Sequence, residues 1–236
     1  MKTRLILFIL VLGVGVTIAG FMIKGKSKMQ NSLEYRESID NKLKVINPYD
    51  VNPKLVDSSV LAVRSGHTIA PFSLVNQYGE VITEKNTENK IYVANYFFTT
   101  CSSICPVMTT QLKRVQTEFP GEPWLKLLSH TVWPEGDSVS RLYNYALKYE
   151  AIPEQWWFLT GSKSDLYTMA RKSYLVVPDE NDPDYDHGNE SDFIHTENFV
   201  LIDPKNQIRG MYDGTNPDEV SDLIKDIYDL KREFNF

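Results

Sequence analysis

The stretch Tyr92–Met108 reads YVANYFFTTCSSICPVM and contains the only two cysteines of the chain, Cys101 and Cys105. An apolar run rich in β-branched and aromatic residues precedes them, which is typical of a strand at the centre of a sheet. Pro106 suits the first turn of a helix, where its missing N–H costs nothing. Apolar residues then recur at spacings of four, three and four, as on one face of a helix. The stretch therefore predicts a strand, a dithiol loop and a helix in succession.

Strands and helices continue to alternate on both sides of this loop. Upstream, two short apolar runs flank Asn76–Gly79, which predicts a hairpin. Downstream, the expected order is strand WLKLLSHTV, helix SVSRLYNYALKY, strand WWFLTG, helix KSDLYTMARKSY, paired strands ENFVLIDP and QIRGMYDG, and a helix capped by Asn216. This alternation predicts an α/β fold around a central sheet. A strand, a cysteine pair and a helix in sequence is the thioredoxin arrangement, here with three spacer residues instead of two.

The amino-terminal segment has a different character. Two basic residues precede an uncharged run of 19 residues, Leu5–Ile23, close to the ~20 residues that a helix needs to span a bilayer. No clean small-residue cleavage site follows the run, and no cysteine is present there for lipid attachment. We interpret residues 1–28 as an uncleaved membrane anchor, 29–63 as a polar tether and 64–236 as the globular domain. A cleaved signal peptide and a buried helix are the alternatives.

Composition and charge narrow the function classes. The chain has 236 residues, of which 42% are hydrophobic, enough for a substantial core. A net charge of -6 argues against nucleic acid as the main partner, because phosphate binding needs a basic face.

Basic residues flank both ends of the anchor, so the positive-inside rule does not orient it. Long domains translocate largely regardless of charge, and we expect the domain on the extracytoplasmic (periplasmic) side of the cell membrane.

The cysteine pair has three interpretations. A structural disulfide would form in an oxidising compartment, but so short a loop stabilises weakly. In a redox site, the position of Cys105 at a helix N-terminus would lower its thiol pKa. In a metal site, two thiolates four positions apart would converge on a soft ion such as copper(I), and an added imidazole would let the site hold copper(II). A structural zinc ion would want four protein ligands.

Four histidines are candidates for that imidazole. His195 directly precedes the predicted strand ENFVLIDP and ranks first, and His130, at the end of a predicted strand, ranks second. His67 precedes the first strand of the domain. His187 lies in an acidic loop similar in outline to a calcium-binding loop, but that loop lacks the required glycine and glutamate. We interpret it as solvated.

Four segments, FFTTCSSICPVMTTQL, WWFLTG, HTENFVLIDP and GMYDGT, resemble in this order the Sco/SenC family of membrane-anchored, copper-binding proteins. The resemblance extends roughly from Gly66 to Ile227. It implies a thioredoxin-like fold with an added N-terminal hairpin, and copper ligation by Cys101, Cys105 and His195. It also implies copper delivery, or thiol reduction, during assembly of the CuA centre of cytochrome c oxidase. The expected partner is then the CuA-site subunit or another copper client.

One position departs from the family pattern. Where the family usually has Asp-Pro at a strand end, this chain reads SHTVWPEGDS, with Trp133 in place of the aspartate. The resemblance implies that an acidic residue there influences the site or partner docking. Trp133 is expected to pack in a variant loop, and Asp137 is the candidate that carries part of the missing charge.

Three hypotheses about the function of the chain belong to different classes of protein. The leading one is a copper chaperone whose ligands are exposed on loops, with the acidic segment Asp179–Asp192 as a flexible flap. The alternative is a thiol–disulfide reductase or a peroxiredoxin-like enzyme, which would use Cys101 and Cys105 and would not need His195. A docking module with neither activity is the third.

Overall fold

The computed structural model describes residues 42–53, 56–177 and 196–236. The anchor expected at residues 1–28, part of the tether, the segment Asp179–Asp192 and His195 lie outside these ranges. Within the described ranges, no helix combines the length and the apolar character needed to cross a bilayer.

Strands and helices alternate along the described chain as the apolar periodicity predicts. In chain order they are a 3-10 turn (Pro48–Asp50), β1 (Ser73–Val75), β2 (Val81–Thr83), α1 (Glu84–Thr87), β3 (Ile91–Phe97), α2 (Ile104–Glu118), β4 (Leu125–Thr131), α3 (Val139–Lys148), β5 (Trp156–Leu159), α4 (Lys163–Thr168), a π-helical turn (Met169–Ser173), β6 (Asn198–Ile202), β7 (Ile208–Asp213) and α5 (Pro217–Phe234). The expected α/β fold is confirmed.

The larger sheet has the strand order β5-β4-β3-β6-β7. Strand β3 runs parallel to β4 and antiparallel to β6, and all of its residues are buried, as its continuous apolar sequence predicts. Ala94 pairs with Val200, so β6 begins at the end of the sheet where β3 finishes. The loop that leaves β3 and the chain that enters β6 therefore lie at the same end of the sheet.

Each face of the sheet carries its own apolar core. Helices α2, α3 and α5 cover one face, where Met108, Leu112 and Leu223 are fully buried. The chain before β1, together with α4 and the π-helical turn, covers the other face, with Tyr174 at its centre. The two core layers hold the central strands between them and make the sheet rigid.

The predicted hairpin is confirmed and covers one edge of the larger sheet. Val75 and Thr160 exchange two backbone hydrogen bonds of 2.8 Å. The amide of Gln77 donates to the Trp156 carbonyl and accepts from the Phe158 N–H, both at 2.9 Å. Strand β5 therefore has hydrogen-bond partners on its outer side, which protects the edge against pairing with another chain.

The described part of the tether packs against the same compact unit. Arg209 is buried and donates to the Leu43 carbonyl at 2.6 Å, while its guanidinium also pairs with Asp203 at 2.8 Å and Glu233 at 2.7 Å. The Ile46 N–H donates to the Ile208 carbonyl at 2.8 Å. Position 64 as the start of the domain remains a prediction, and these contacts define its test.

A chain that begins at Val63 is expected to unfold cooperatively, because both core layers of the sheet remain. It should melt at a lower temperature than a chain that begins at Leu43, since it lacks the buried Val56 and the acceptor for Arg209. A loss of about 2–4 kcal/mol in unfolding free energy is expected. Scanning calorimetry measures the difference, and a non-cooperative transition in the shorter chain would contradict the domain boundary.

Candidate functional site

The two thiols lie where β3 passes into α2. Cys101 is in the connecting loop and is partly exposed, and its N–H donates to the Phe98 carbonyl at 3.2 Å. Cys105 lies in the first turn of α2, is only 3% exposed and faces the core beneath the helix. Both cysteines are free. The chain thus presents one thiol at the surface with a second thiol behind it.

The loop thiol is the more acidic of the two. Partial burial raises the pKa of Cys101, but the hydrogen bonds that its sulfur accepts outweigh this effect. These come from the Cys105 thiol, the backbone N–H groups of Cys105 and Ser103, and the Ser103 hydroxyl, whose oxygen lies 3.7 Å from the sulfur. The net pKa of Cys101 lies below the ordinary thiol value, because donors that face the sulfur stabilise the thiolate.

The expectation that the helix N-terminus lowers the pKa of Cys105 is wrong. Burial raises the pKa of that thiol to about 12, and the hydrogen bond to Cys101 adds to the effect. The N–H groups of the first turn of α2 point toward the Cys101 sulfur, while the Cys105 side chain points into the apolar core. Cys105 is therefore a protonated thiol at neutral pH that donates to its neighbour.

A small network fixes the backbone at Cys105. The Thr109 hydroxyl donates to the Cys105 carbonyl at 2.7 Å, and its oxygen lies 2.9 Å from the Tyr145 hydroxyl. Because Thr109 has one proton to donate, Tyr145 is the donor in the second bond. Helix α3 thereby supports the first turn of α2. Neither residue is predictable from the sequence, because no local pattern reports a contact across 36 positions.

Asp137 fixes the start of the motif loop. Its carboxylate is fully buried and accepts from the Thr99 N–H at 3.2 Å, from the Thr99 hydroxyl at 2.5 Å and from the Thr131 hydroxyl at 2.5 Å. It therefore ties the loop two residues before Cys101 to the end of β4. The acidic group of this loop thus holds the backbone of the site, which orients the thiol that follows.

Trp133 packs within the loop that precedes α3, as expected. Its carbonyl accepts from the N–H groups of Gly136 and Asp137, and its own N–H donates to the Thr131 hydroxyl at 3.0 Å. A Cβ atom at position 136 would overlap the indole ring, so Gly136 leaves the space that the tryptophan occupies. The Trp133 carbonyl thereby helps to hold the backbone at Asp137.

The candidate histidines differ in where they lie relative to the cysteine pair. His195 lies outside the described residues, so the structure describes two of the three expected ligands, and the place of His195 remains a prediction. The fully buried ring of His130 stacks on Tyr96, with centroids 5.1 Å apart, on the sheet face opposite Cys105. Complete burial lowers the pKa of His130 to about 4. The Nε2 atom of His67 lies 2.8 Å from the Ser173 carbonyl in the π-helical turn.

The geometry suits soft metal binding and disulfide exchange. The two sulfurs face each other closely enough for one thiol to donate to the other, and thiolates in such a pair are ligands that soft ions prefer. Among the described residues, no group of three or more histidine, cysteine or acidic side chains forms a metal cluster. Fold and site together define a thioredoxin-like protein with one exposed and one buried thiol.

Comparison with known proteins identifies the family. The family model described as SCO1/SenC matches residues 62–230. This match extends over well more than half of the chain, and the chain belongs to the SCO1/SenC family.

Solved structures of family members have the same fold. A SCO1/SenC family lipoprotein from Bacillus anthracis is 25% identical, with a TM-score of 0.61 over 72% of this chain and 99% of that one. BsSco, a member of the Sco family of cytochrome c oxidase assembly proteins with a disulfide switch, is 27% identical, with a TM-score of 0.58 over 70% and 93% of the two chains. Yeast Sco1 with copper bound is 25% identical, with a TM-score of 0.53 over 69% and 90%.

Limited alkylation should separate the two thiols. At neutral pH, Cys101 is expected to react with iodoacetamide faster than Cys105 by a factor of about a hundred or more, because only the thiolate reacts. Because its pKa is lowered, Cys101 remains a thiolate at lower pH than a free cysteine does. The rate of Cys101 alkylation should therefore rise at a lower pH than the rate for a free cysteine. Peptide mass spectrometry measures both rates. Cys105→Ala removes a donor and should move the Cys101 profile to higher pH, and equal rates at both sites would contradict the assignment.

Removing the carboxylate below the loop should destabilise the fold. Asp137→Ala leaves the Thr99 N–H and two hydroxyls without their acceptor, which is expected to cost about 2–4 kcal/mol of unfolding free energy. Glu135→Ala removes an exposed carboxylate two positions away and is the matched control, with a change within about 0.5 kcal/mol. Urea unfolding measures both variants. Equal losses in the two would rule out a specific role for Asp137.

Proposed function

We propose that this chain is a membrane-anchored copper chaperone that binds copper through Cys101, Cys105 and His195 and delivers it for assembly of the CuA site of cytochrome c oxidase. The observation that carries the proposal is the pair of free thiols that face each other at one end of the sheet, one of them at the surface. The copper-bound form of yeast Sco1, a relative of the same fold, supports copper as the cargo.

Two thiolates suit copper(I), which is stable with few soft ligands. Copper binding would require Cys105 to lose its proton, and the metal charge supplies the stabilisation that the apolar surroundings of this thiol lack. Cys101 lies at the surface and can pass the ion to a client by ligand exchange. Cys105 remains below and limits access by other thiols. One exposed and one buried donor therefore suit transfer better than permanent storage.

The strand order of the sheet supports His195 as the third ligand. Strand β6 runs antiparallel to β3, so its first residue lies at the end of the sheet that carries the motif loop. His195 directly precedes Thr196, the residue with which the described chain resumes before β6. An imidazole there would add the harder nitrogen donor that copper(II) prefers. His130 does not suit this role, because its ring lies on the other face of the sheet.

The family and the amino-terminal sequence support the partner and the location that we propose. The description of BsSco as a cytochrome c oxidase assembly protein supports the CuA-site subunit, or another copper client, as the partner. The B. anthracis relative is a lipoprotein. This chain has no cysteine before Cys101, and we infer that the apolar run Leu5–Ile23 anchors it instead, with the domain on the extracytoplasmic side of the cell membrane.

A thiol–disulfide reductase is the second candidate, and the pKa difference between the thiols favours it. An exposed thiol of lowered pKa is suited to attack a client disulfide, and a neighbouring thiol behind it is suited to resolve the mixed disulfide. The disulfide switch of BsSco supports this alternative. The client would be an apoprotein whose copper-site cysteines must be reduced. This chemistry uses the same two cysteines and does not need His195.

Copper titration separates the two functions. The wild-type chain should bind one copper ion, and Cys101→Ser or Cys105→Ser should each abolish tight binding, because one thiolate leaves a soft ion under-ligated. His195→Ala should weaken copper(II) binding by about tenfold or more and copper(I) binding much less. Competition titrations in both oxidation states measure these affinities, and thiolate-to-copper charge-transfer bands report sulfur ligation.

His187→Ala is the matched control, because it removes an imidazole that stands eight positions earlier in the chain. It should leave both affinities unchanged. A glutathione redox titration of the Cys101–Cys105 pair completes the test, since His195→Ala should barely alter that potential. If neither imidazole affects copper(II) binding and the thiols exchange normally, the reductase function replaces the chaperone function.

A further inference from the structure

A shallow open pocket of about 340 Å³ lies between the motif loop and α3. Its lining residues are Thr99, Thr100, Arg141, Asn144, Tyr145 and Lys148. The four residues from α3 follow each other at helical spacing and share one face of that helix. Thr100 directly precedes Cys101 in the chain. The pocket therefore borders the part of the motif loop that leads directly into Cys101.

The pocket is positively charged in a chain that is negative overall. Arg141 and Lys148 are both exposed, and in the described part of the chain neither has a carboxylate within ion-pair distance. Glu150, the acidic residue nearest to Lys148 in the chain, pairs instead with Lys113 at 2.7 Å. Asp137 bonds to the pocket residue Thr99, but it is fully buried and its oxygens are already occupied. Two cations without a carboxylate partner in the described chain therefore line the pocket beside the motif loop, and the Lys148 ammonium also lies over the Tyr149 ring, 5.2 Å from its centroid.

Exposed apolar side chains also lie on α2 and α3, outside the lining of the pocket. On α3, Leu147 is 60% exposed and Tyr143 is 41% exposed. Tyr143 packs edge-on against the exposed Tyr78, with ring centroids 5.9 Å apart. On α2, Val107 is exposed close to the motif in sequence. A protein that covers the solvent face of α3 would bury these groups together with the pocket, whereas a small anion would leave them exposed.

We propose that this pocket docks an acidic peptide segment of the protein that exchanges copper or a disulfide with Cys101. The proposal rests on the proposed function, because it assigns the docking site of that exchange. The guanidinium of Arg141 can hold a carboxylate through two hydrogen bonds, and Lys148 offers a second cation. Seven helical positions separate the two, or about 10 Å along the axis. Acidic residues three positions apart in an extended segment span the same distance.

Thiol exchange with charged and neutral peptides tests the docking site. The probes are the synthetic peptide Cys-Gly-Glu-Gly-Gly-Glu and its Gln counterpart, each carrying a neutral 2-pyridyl disulfide on its cysteine. The Cys101 thiolate of the reduced full chain attacks the peptide sulfur and forms a mixed disulfide. The pyridyl sulfur leaves with the electron pair as 2-thiopyridone, whose absorbance gives the rate. The Cys105 thiol then loses its proton and attacks Cys101, which releases the peptide thiol and leaves the Cys101–Cys105 disulfide.

The quantity measured is the ratio of the rate constants for the Glu and Gln peptides at low ionic strength. In the wild-type chain this ratio should exceed that of the Arg141→Gln/Lys148→Gln variant by about three- to tenfold, as expected for two solvent-exposed ion pairs. The difference should disappear in about 1 M salt, where the Debye length is about 3 Å. Lys85→Gln/Lys90→Gln removes the same charge near the opposite end of β3 and should keep the wild-type ratio.

Equal ratios in the wild type and the Arg141→Gln/Lys148→Gln variant would overturn the proposal, and so would an equal drop in the Lys85→Gln/Lys90→Gln control. The assay contains no copper, so it gives a result whether or not the chain binds the metal. Copper stoichiometry, measured separately, should be the same in the wild type and the Arg141→Gln/Lys148→Gln variant. A chain that fails to bind copper but keeps the peptide preference refutes the chaperone function alone.

Discussion

The position of the two thiols depends on strand β3, which is hydrogen-bonded on both sides and buried on both faces. The strand cannot shift without breaking its ladders to β4 and β6 and disturbing two core layers. The motif loop therefore leaves the sheet from a fixed point. The Asp137 carboxylate fixes the start of the loop as well, because it accepts hydrogen bonds from both Thr99 in the loop and Thr131 at the end of β4. Cys101 gains its position from the sheet and needs no disulfide to maintain it.

The chemical difference between the thiols follows from the direction of each side chain. Both cysteines lie near the N-terminus of α2, and a helix dipole alone would acidify the one that belongs to the helix. Instead, the sulfur of Cys105 lies in apolar surroundings, and the N–H groups of the first turn stabilise the sulfur of Cys101. Desolvation exceeds the dipole effect in this case because Cys105 is only 3% exposed. As a result, the Cys101 thiol readily forms the thiolate that reacts or binds metal, whereas the Cys105 thiol stays protonated at neutral pH.

Sequence periodicity was sufficient for the local structure, since β3, α2, the hairpin and the final helix all follow from patterns within a few residues. The Asn216 side chain, for example, caps α5 by accepting the Asp218 N–H at 3.0 Å. Contacts between distant residues were not predictable in this way. The depth of Cys105 depends on α3 and β5, and Asp137 reaches Thr99 across 38 positions. The packing of the tether through Leu43 and Arg209 joins residues 166 positions apart, for which one sequence offers no signal.

The packing of Trp133 over the bare backbone of Gly136 has an evolutionary consequence. The two positions are epistatic, because the space for the indole exists only while position 136 has no Cβ atom. A lineage with a small acidic residue at position 133 could acquire the tryptophan in this packing only after, or together with, glycine at position 136. Once the pair is established, a side chain larger than glycine at position 136 would collide with the ring and would require the indole to move. The order of these substitutions is therefore constrained by volume, independently of any selection on copper chemistry.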